Sequence, residues 1–127
     1  MARSRRLKSL KIYVAGPYAP PKGTEIHDAA RVAHKHTIRA IKAGIAIIEK
    51  GHIPFIPHLM HFVHLETRKS LPAEFYYSYD MVWLRHCDAL LFIGRSKGAL
   101  HELDWAKNQG KLIFRKIAKI PLASKKN

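Results

Sequence analysis

Residues 89–106 read Ala89-Leu90-Leu91-Phe92-Ile93-Gly94-Arg95-Ser96-Lys97-Gly98-Ala99-Leu100-His101-Glu102-Leu103-Asp104-Trp105-Ala106. Five apolar residues end at Gly94, small and polar residues make a turn, and Leu100, Leu103 and Ala106 then recur at helical spacing. The pattern is a buried strand, a tight loop and an amphipathic helix that ends at Gly110. The same unit recurs outward from it. Lys11-Ile12-Tyr13-Val14-Ala15-Gly16 is a β-branched run stopped by Gly16-Pro17. After a proline-rich loop over 17–27, Asp28 is positioned to cap a long helix. Ala29, Ala30, Val32, Ala33, Ile38, Ile41, Ile45 and Ile48 mark its apolar face, and Gly51 stops it.

Ile53–Ile56 forms a second strand whose flanking Pro54 and Pro57 suit a sheet edge. The stretch 58–72 fits neither periodicity. Ala73–His86 reads as a helix behind Pro72, carrying Phe75, Tyr76, Tyr79, Val82 and Trp83 at helical intervals. Leu112-Ile113-Phe114 is the last strand. Strands alternating with helices of this length require crossover connections. The expected fold is therefore α/β, a single three-layer domain of Rossmann-like or flavodoxin-like kind with a four- or five-stranded, mainly parallel sheet. Ligands of such sheets lie beyond the carboxyl ends of the strands, so Gly16-Pro17-Tyr18, Pro57-His58 and Gly94-Arg95-Ser96 are expected to gather there.

Composition narrows the function classes. With 127 residues, 47% apolar and 25% charged, the chain suits one globular domain. No run approaches the length of a membrane span, and the single Cys87 rules out an internal disulfide, which favours a cytoplasmic setting without membrane contact. The 23 basic and 9 acidic side chains give a net charge of +14. Eleven of the basic residues fall in 1–11 and 111–127, leaving 12 against 9 acids and a net of +3 in the body. The division expected is a basic tail over 1–10, a domain over 11–115 and a second basic tail over 116–127. Such ends keep a protein dispersed or bind nucleic acid weakly and without sequence preference.

The 94–102 run carries the chemistry. Free N–H groups at the helix start, beside Arg95, the Ser96 hydroxyl and Lys97, form a site for phosphate or another anion. Glu102 follows near the same end of the sheet, where the helix field is expected to keep it ionised and able to act as a nucleophile. His58, His61 and His64 lie three apart and would spread over about 120° of a helix. With no HExxH pattern and Cys87 remote, neither a metal nor another cofactor is expected. No phosphate-loop or dinucleotide fingerprint occurs. The aromatic stripe of residues 75–83 is expected in the core, with one or two of Tyr76, Tyr77 and Tyr79 turned to this pocket or a neighbour's.

Four segments taken together resemble the nucleoside 2-deoxyribosyltransferase superfamily across residues 11–114. They are Tyr13-Val14-Ala15-Gly16-Pro17-Tyr18, Asp80 with Asp88, Ser96-Lys97-Gly98-Ala99-Leu100-His101-Glu102, and Ala106 with Gly110. The chain looks most like small phage, bacterial and archaeal relatives and the nucleotide N-glycosidases. The resemblance implies a hydrolase or transferase of nucleotide metabolism that breaks the bond between base and sugar. Glu102 stands at the nucleophile position, Asp80 at that of the carboxylate that tunes it, and Tyr13 at that of the tyrosine that hydrogen-bonds it. It further implies that Gly16, Pro17, Tyr18, His58, Arg95, Ser96 and Gly98 line the substrate site, and that the chain forms a homodimer or higher homo-oligomer. Ser96 replaces the acid that base-exchanging members carry and matches the serine that holds a 5′-phosphate in the N-glycosidases. A nucleoside 5′-monophosphate is therefore expected ahead of a free nucleoside. His101, His58 and Asp80 are the candidates to protonate the leaving base, while Asp88 is expected to be structural. Two other readings stand beside this one: a non-catalytic nucleotide-sensing module of the same fold, and a basic RNA- or DNA-associated accessory protein.

Overall fold

The computed structural model describes residues 8–67, 69 and 71–124. Four strands, β1 (Lys11–Ala15), β2 (Ile53–Phe55), β3 (Ala89–Phe92) and β4 (Leu112–Phe114), form one sheet in the order β2-β1-β3-β4. Every pairing is parallel, with Ile12 opposite Pro54 and Ala89, and Leu90 opposite Ile113. The helices are α1 (Ile26–Glu49), α2 (Met60–Glu66), α3 (Ala73–Arg85) and α4 (Lys97–Asn108), with short 3-10 turns at Pro57–Leu59 and Ile117–Lys119. The expected α/β architecture is thus present with four strands, and β2 lies at the edge its prolines required.

Alternation along β1 builds two cores, as the pleat demands. Ile12 and Val14 face α1 and pack with Ala40, Ile47, Ala89 and Leu91. Tyr13 and Ala15 face the other side and pack with Met81, Leu84, Leu90, Ala99, Leu103 and Ala106 of α3, β3 and α4. Helices therefore cover both faces of the sheet, giving three layers. Gly51 and Gly110 hold positive φ just past the ends of α1 and α4, the conformation that lets each chain leave its helix.

Three details depart from the sequence expectations. Helix α1 begins at Ile26, and its N-cap Glu25 makes no side-chain cap bond. Asp28 lies in the first turn, where a carboxylate favours the helix field, and accepts a hydrogen bond from Arg31 at 3.0 Å. The aromatic side chains of α3 are not core. Phe75, Tyr77 and Trp83 are 41–49% exposed, while Met81 and Leu84 are the α3 side chains buried in the core. Trp83 instead stacks on Phe55 with ring centroids 5.4 Å apart.

The segment after β4 is not a free tail as far as Ser124. Ile120 is 1% exposed and completes the α1-side core. The Lys50 ammonium donates to the Ile120 carbonyl at 2.8 Å, and Ala123 N–H donates to the Lys50 carbonyl at 2.8 Å. At the other end, Leu10 packs against the same core and donates its N–H to His52 Nδ1 at 3.0 Å. Residues 1–7 and 125–127 of the expected tails lie outside the described residues.

Candidate active site

Beyond the carboxyl ends of the strands opens a cleft of about 1030 Å³. Nine of the ten site residues expected from the sequence line it. Gly16, Pro17 and Tyr18 come from the loop after β1, and His58 comes from the 3-10 turn after β2. Asp80 projects from α3, Arg95 and Ser96 from the loop after β3, and Gly98 and Glu102 from α4. The tenth, Tyr13, is fully buried in β1 and reaches the site from beneath. Its hydroxyl donates to Glu102 Oε2 at 2.5 Å.

Burial sets the proton affinities here. The Glu102 carboxyl is pushed up to about 7, chiefly by desolvation; the Tyr13 hydrogen bond opposes the rise and the Asp80 charge adds to it. Asp80 is also raised to about 7 by desolvation. The expectation that the helix field keeps Glu102 ionised is therefore corrected. Glu102 lies in the second turn of α4, beyond the free N–H groups, and desolvation outweighs the field. Tyr13 itself is held far above the usual phenol range by burial and by the two carboxylates, so its hydroxyl acts only as a donor.

The start of α4 is built as an anion site requires. Ser96 Oγ accepts the Ala99 N–H at 3.0 Å and caps the helix. The capped helix leaves the Lys97 and Gly98 N–H groups without intrahelical partners, and a side chain at Gly98 would meet nothing within 4 Å. Gly16 has a different role. An added Cβ there would collide with the Ile93 side chain, so its glycine serves the close approach of the β1 and β3 ends.

The cleft also carries residues the sequence did not assign to it: His36, His61, His64 and Lys22. Tyr18 hydroxyl and His61 Nδ1 are 2.9 Å apart, His61 Nε2 and His34 Nδ1 are 3.4 Å apart, and His36 Nδ1 bonds the Tyr18 carbonyl at 3.0 Å. The spacing of three was visible for His58, His61 and His64, but nothing in the sequence placed His36 or Lys22 in the same cleft. Tyr76 is the one of the three α3 tyrosines that turns to the cleft.

Among the proton-donor candidates, geometry separates the three. His101 does not line the cleft; it is exposed, and its Nε2 bonds the Tyr77 hydroxyl at 2.6 Å. His58 Nε2 must carry its proton, since it bonds the carbonyls of Gly16 and Pro17 at 3.1 and 3.0 Å, and burial lowers its affinity for a second one. Asp80 remains, half-buried on the cleft wall with its carboxyl near neutrality. Asp88 is structural as expected. It stands at the opposite end of β3 and accepts the Lys11 N–H at 2.8 Å. Among the described residues no group of three His, Cys, Asp or Glu side chains could hold a metal ion.

Residues 10–116 match the family described as a domain of unknown function, DUF7768. The chain belongs to this family. No curated protein matches the chain. The DUF7768 match contains Tyr13, Asp80, Glu102 and every cleft residue above, and ends before the Ile117–Lys119 turn that completes the second core. No helix among the described residues of this DUF7768 protein is long and apolar enough to cross a membrane.

Proposed function

We propose that this DUF7768 protein cleaves the N-glycosidic bond of a nucleoside 5′-monophosphate, with Glu102 as nucleophile. The observation that carries the reading is the pairing of two carboxyls with different partners in one cleft. Glu102 is held by the Tyr13 hydroxyl, which favours its ionised form, while Asp80 is raised by burial alone. We assign the proton the pair shares to Asp80, because the Tyr13 hydrogen bond is the one contact that favours an ionised Glu102. Glu102 then attacks the anomeric carbon as the bond to the base breaks, and Asp80 delivers its proton to the departing base. Water next attacks the glycosyl ester, giving its proton to Asp80 and releasing Glu102, the two-step course of retaining glycosidases. A second base in place of water would give transfer.

The phosphate preference rests on the capped start of α4, with Arg95 and Lys97 on the rim. Chromatographic detection of free base tests the reading. Wild type and Glu102→Ala are incubated with ribo- and 2′-deoxynucleosides and their 5′-monophosphates, with and without an added base. Base release from monophosphates by wild type and its loss in Glu102→Ala is the expected result. Nucleotide binding without release from any substrate would overturn it in favour of a sensing module.

A further inference from the structure

Helix α2 is fastened to the domain largely by histidines. Its apolar Phe62, Val63 and Leu65 are exposed, and His61 is its buried residue. Met60, His61 and His64 line the cleft. His61 joins a chain of three rings: the Tyr18 hydroxyl is 2.9 Å from its Nδ1, and its Nε2 is 3.4 Å from His34 Nδ1 on α1. A second tie joins His64 Nδ1 to the Tyr76 hydroxyl of α3 at 3.3 Å. An element with little buried apolar surface belongs to the low end of local stability, so these ties decide whether it stays in place.

His61 Nε2 and His34 Nδ1 leave room for one hydrogen between them. With both rings neutral, Tyr18 donates to His61 Nδ1 and His61 Nε2 donates to His34. The chain absorbs one proton by reversing: a charged His34 donates to His61 Nε2, and His61 Nδ1 donates to the Tyr18 oxygen. It cannot absorb a second, because two imidazolium rings would set N–H against N–H and charge against charge. The titratable groups around the pair are Tyr18 from the loop after β1, His36 of α1, His58 of the 3-10 turn, His64 of α2, and Tyr76 and Asp80 lining the cleft from α3. Asp28 of α1 is engaged by His27 and Arg31, and among the described residues no carboxylate pairs with His34, His61 or His64. Burial and the two neighbouring histidines accordingly hold His61 below the ordinary histidine range.

We propose that the His34–His61 pair is a proton-operated latch, which holds α2 at the cleft until both imidazoles are charged and then releases it. Release takes Met60, His61 and His64 away from the cleft wall and opens the site on acidification. The inference is independent of the glycosidic reading, because neither Asp80 nor Glu102 is part of the latch and its test needs no substrate.

The test is amide hydrogen exchange of the full chain, followed by NMR at about pH 7.5 and about pH 5, on either side of the ordinary histidine value of about 6.5. Each rate is divided by that of an unstructured chain at the same pH. The probes are the amides at 65–67, where Thr67 N–H bonds the Val63 carbonyl at 2.9 Å. Opening that takes up one more proton grows about tenfold per pH unit below that value, so protection should fall about 30-fold while α4 keeps its own. His34→Gln, at an exposed position, keeps a hydrogen-bonding side chain that cannot become charged, and should cut the change to about threefold or less. His101→Gln, at the exposed histidine outside the cleft, should leave it at wild-type size. Circular dichroism confirms that both variants fold. Unchanged wild-type protection at 65–67, an equal loss in α4, or a His34→Gln chain as acid-sensitive as wild type would overturn the proposal.

Discussion

The Tyr13 hydroxyl reaches Glu102 Oε2 across 2.5 Å, joining the middle of β1 to the second turn of α4 over 89 residues of sequence. Tyr13 is fully buried and its ring stacks against Phe55 at 5.7 Å, so the donor is fixed by the core itself. This single contact is the one influence on Glu102 that favours its ionised form.

Tyr13→Phe removes that donor while keeping the ring. A hydrogen bond to a charged group contributes about 1.5–3 kcal/mol, so base release should fall about 10- to 100-fold. The Glu102 carboxyl, losing the only contact that lowers its proton affinity, should titrate higher, and the acid limb of the rate profile should move to higher pH. Steady-state rates across pH check both. An unchanged profile with a reduced rate would assign Tyr13 to packing alone.

The wild-type rate should follow a narrow bell centred near neutrality. The proposed reaction requires Glu102 ionised and Asp80 protonated, and both carboxyls are raised to about 7. The two apparent values belong to the pair. Asp80→Asn should abolish the basic limb and slow release of poor leaving bases most. A plateau extending well above neutrality in the wild type would remove Asp80 from the role of acid.

Stability should depend on pH through the same two groups. Their folded values lie above the ordinary 3.8 for Asp and 4.5 for Glu, so the folded chain binds more protons between those values and about 7. Stability from these groups is present at low pH and is lost as pH rises through about 7. After allowance for solvent screening of the partly exposed groups, Glu102→Gln should be more stable than wild type by about 1–2 kcal/mol at pH of about 8. The difference should vanish below about pH 4. Urea unfolding at the two pH values gives the comparison, and a variant less stable at the higher pH would contradict it.

Ile120→Ala should destabilise the domain by about 2–4 kcal/mol, the usual cost of emptying a buried isoleucine site. Ile120 is 1% exposed against the α1-side core although it lies beyond the DUF7768 match. Truncation after Lys116 should cost at least as much. Denaturation midpoints of the two variants decide whether 117–123 belong to the fold, and wild-type stability in both would show that they do not.

Ser96→Ala should cost about 1 kcal/mol of stability through the lost cap on α4. It should also raise KM for monophosphates more than for free nucleosides. Equal effects on both substrate kinds would separate the cap from phosphate recognition.

Much of this was legible in residue order. The β-branched run at 11–15, the strand, turn and helix at 89–106, and the glycines at 51 and 110 specify elements through local sterics and periodicity. Alternation of strands and helices then implies a parallel sheet. The same logic gathered the strand-end loops, which is why Gly16, Pro17, Tyr18, His58, Arg95 and Ser96 line one cleft, whereas Asp80 was expected there only from the resemblance. Other features follow from distance in space, which no local pattern encodes. Residues 58–72 were opaque because Leu59, Phe62, Val63 and Leu65 stay exposed around a buried His61, giving no single apolar face to read. The ionisation of Glu102 was misjudged because helix position is local, whereas desolvation by the packed surroundings is tertiary. Sequence pattern alone determined the architecture and singled out Glu102 near the strand ends. Only the packed structure decided that burial raises both carboxyls, which histidine stands outside the cleft and that Ile120 belongs to the core, since burial is set by neighbours far along the chain.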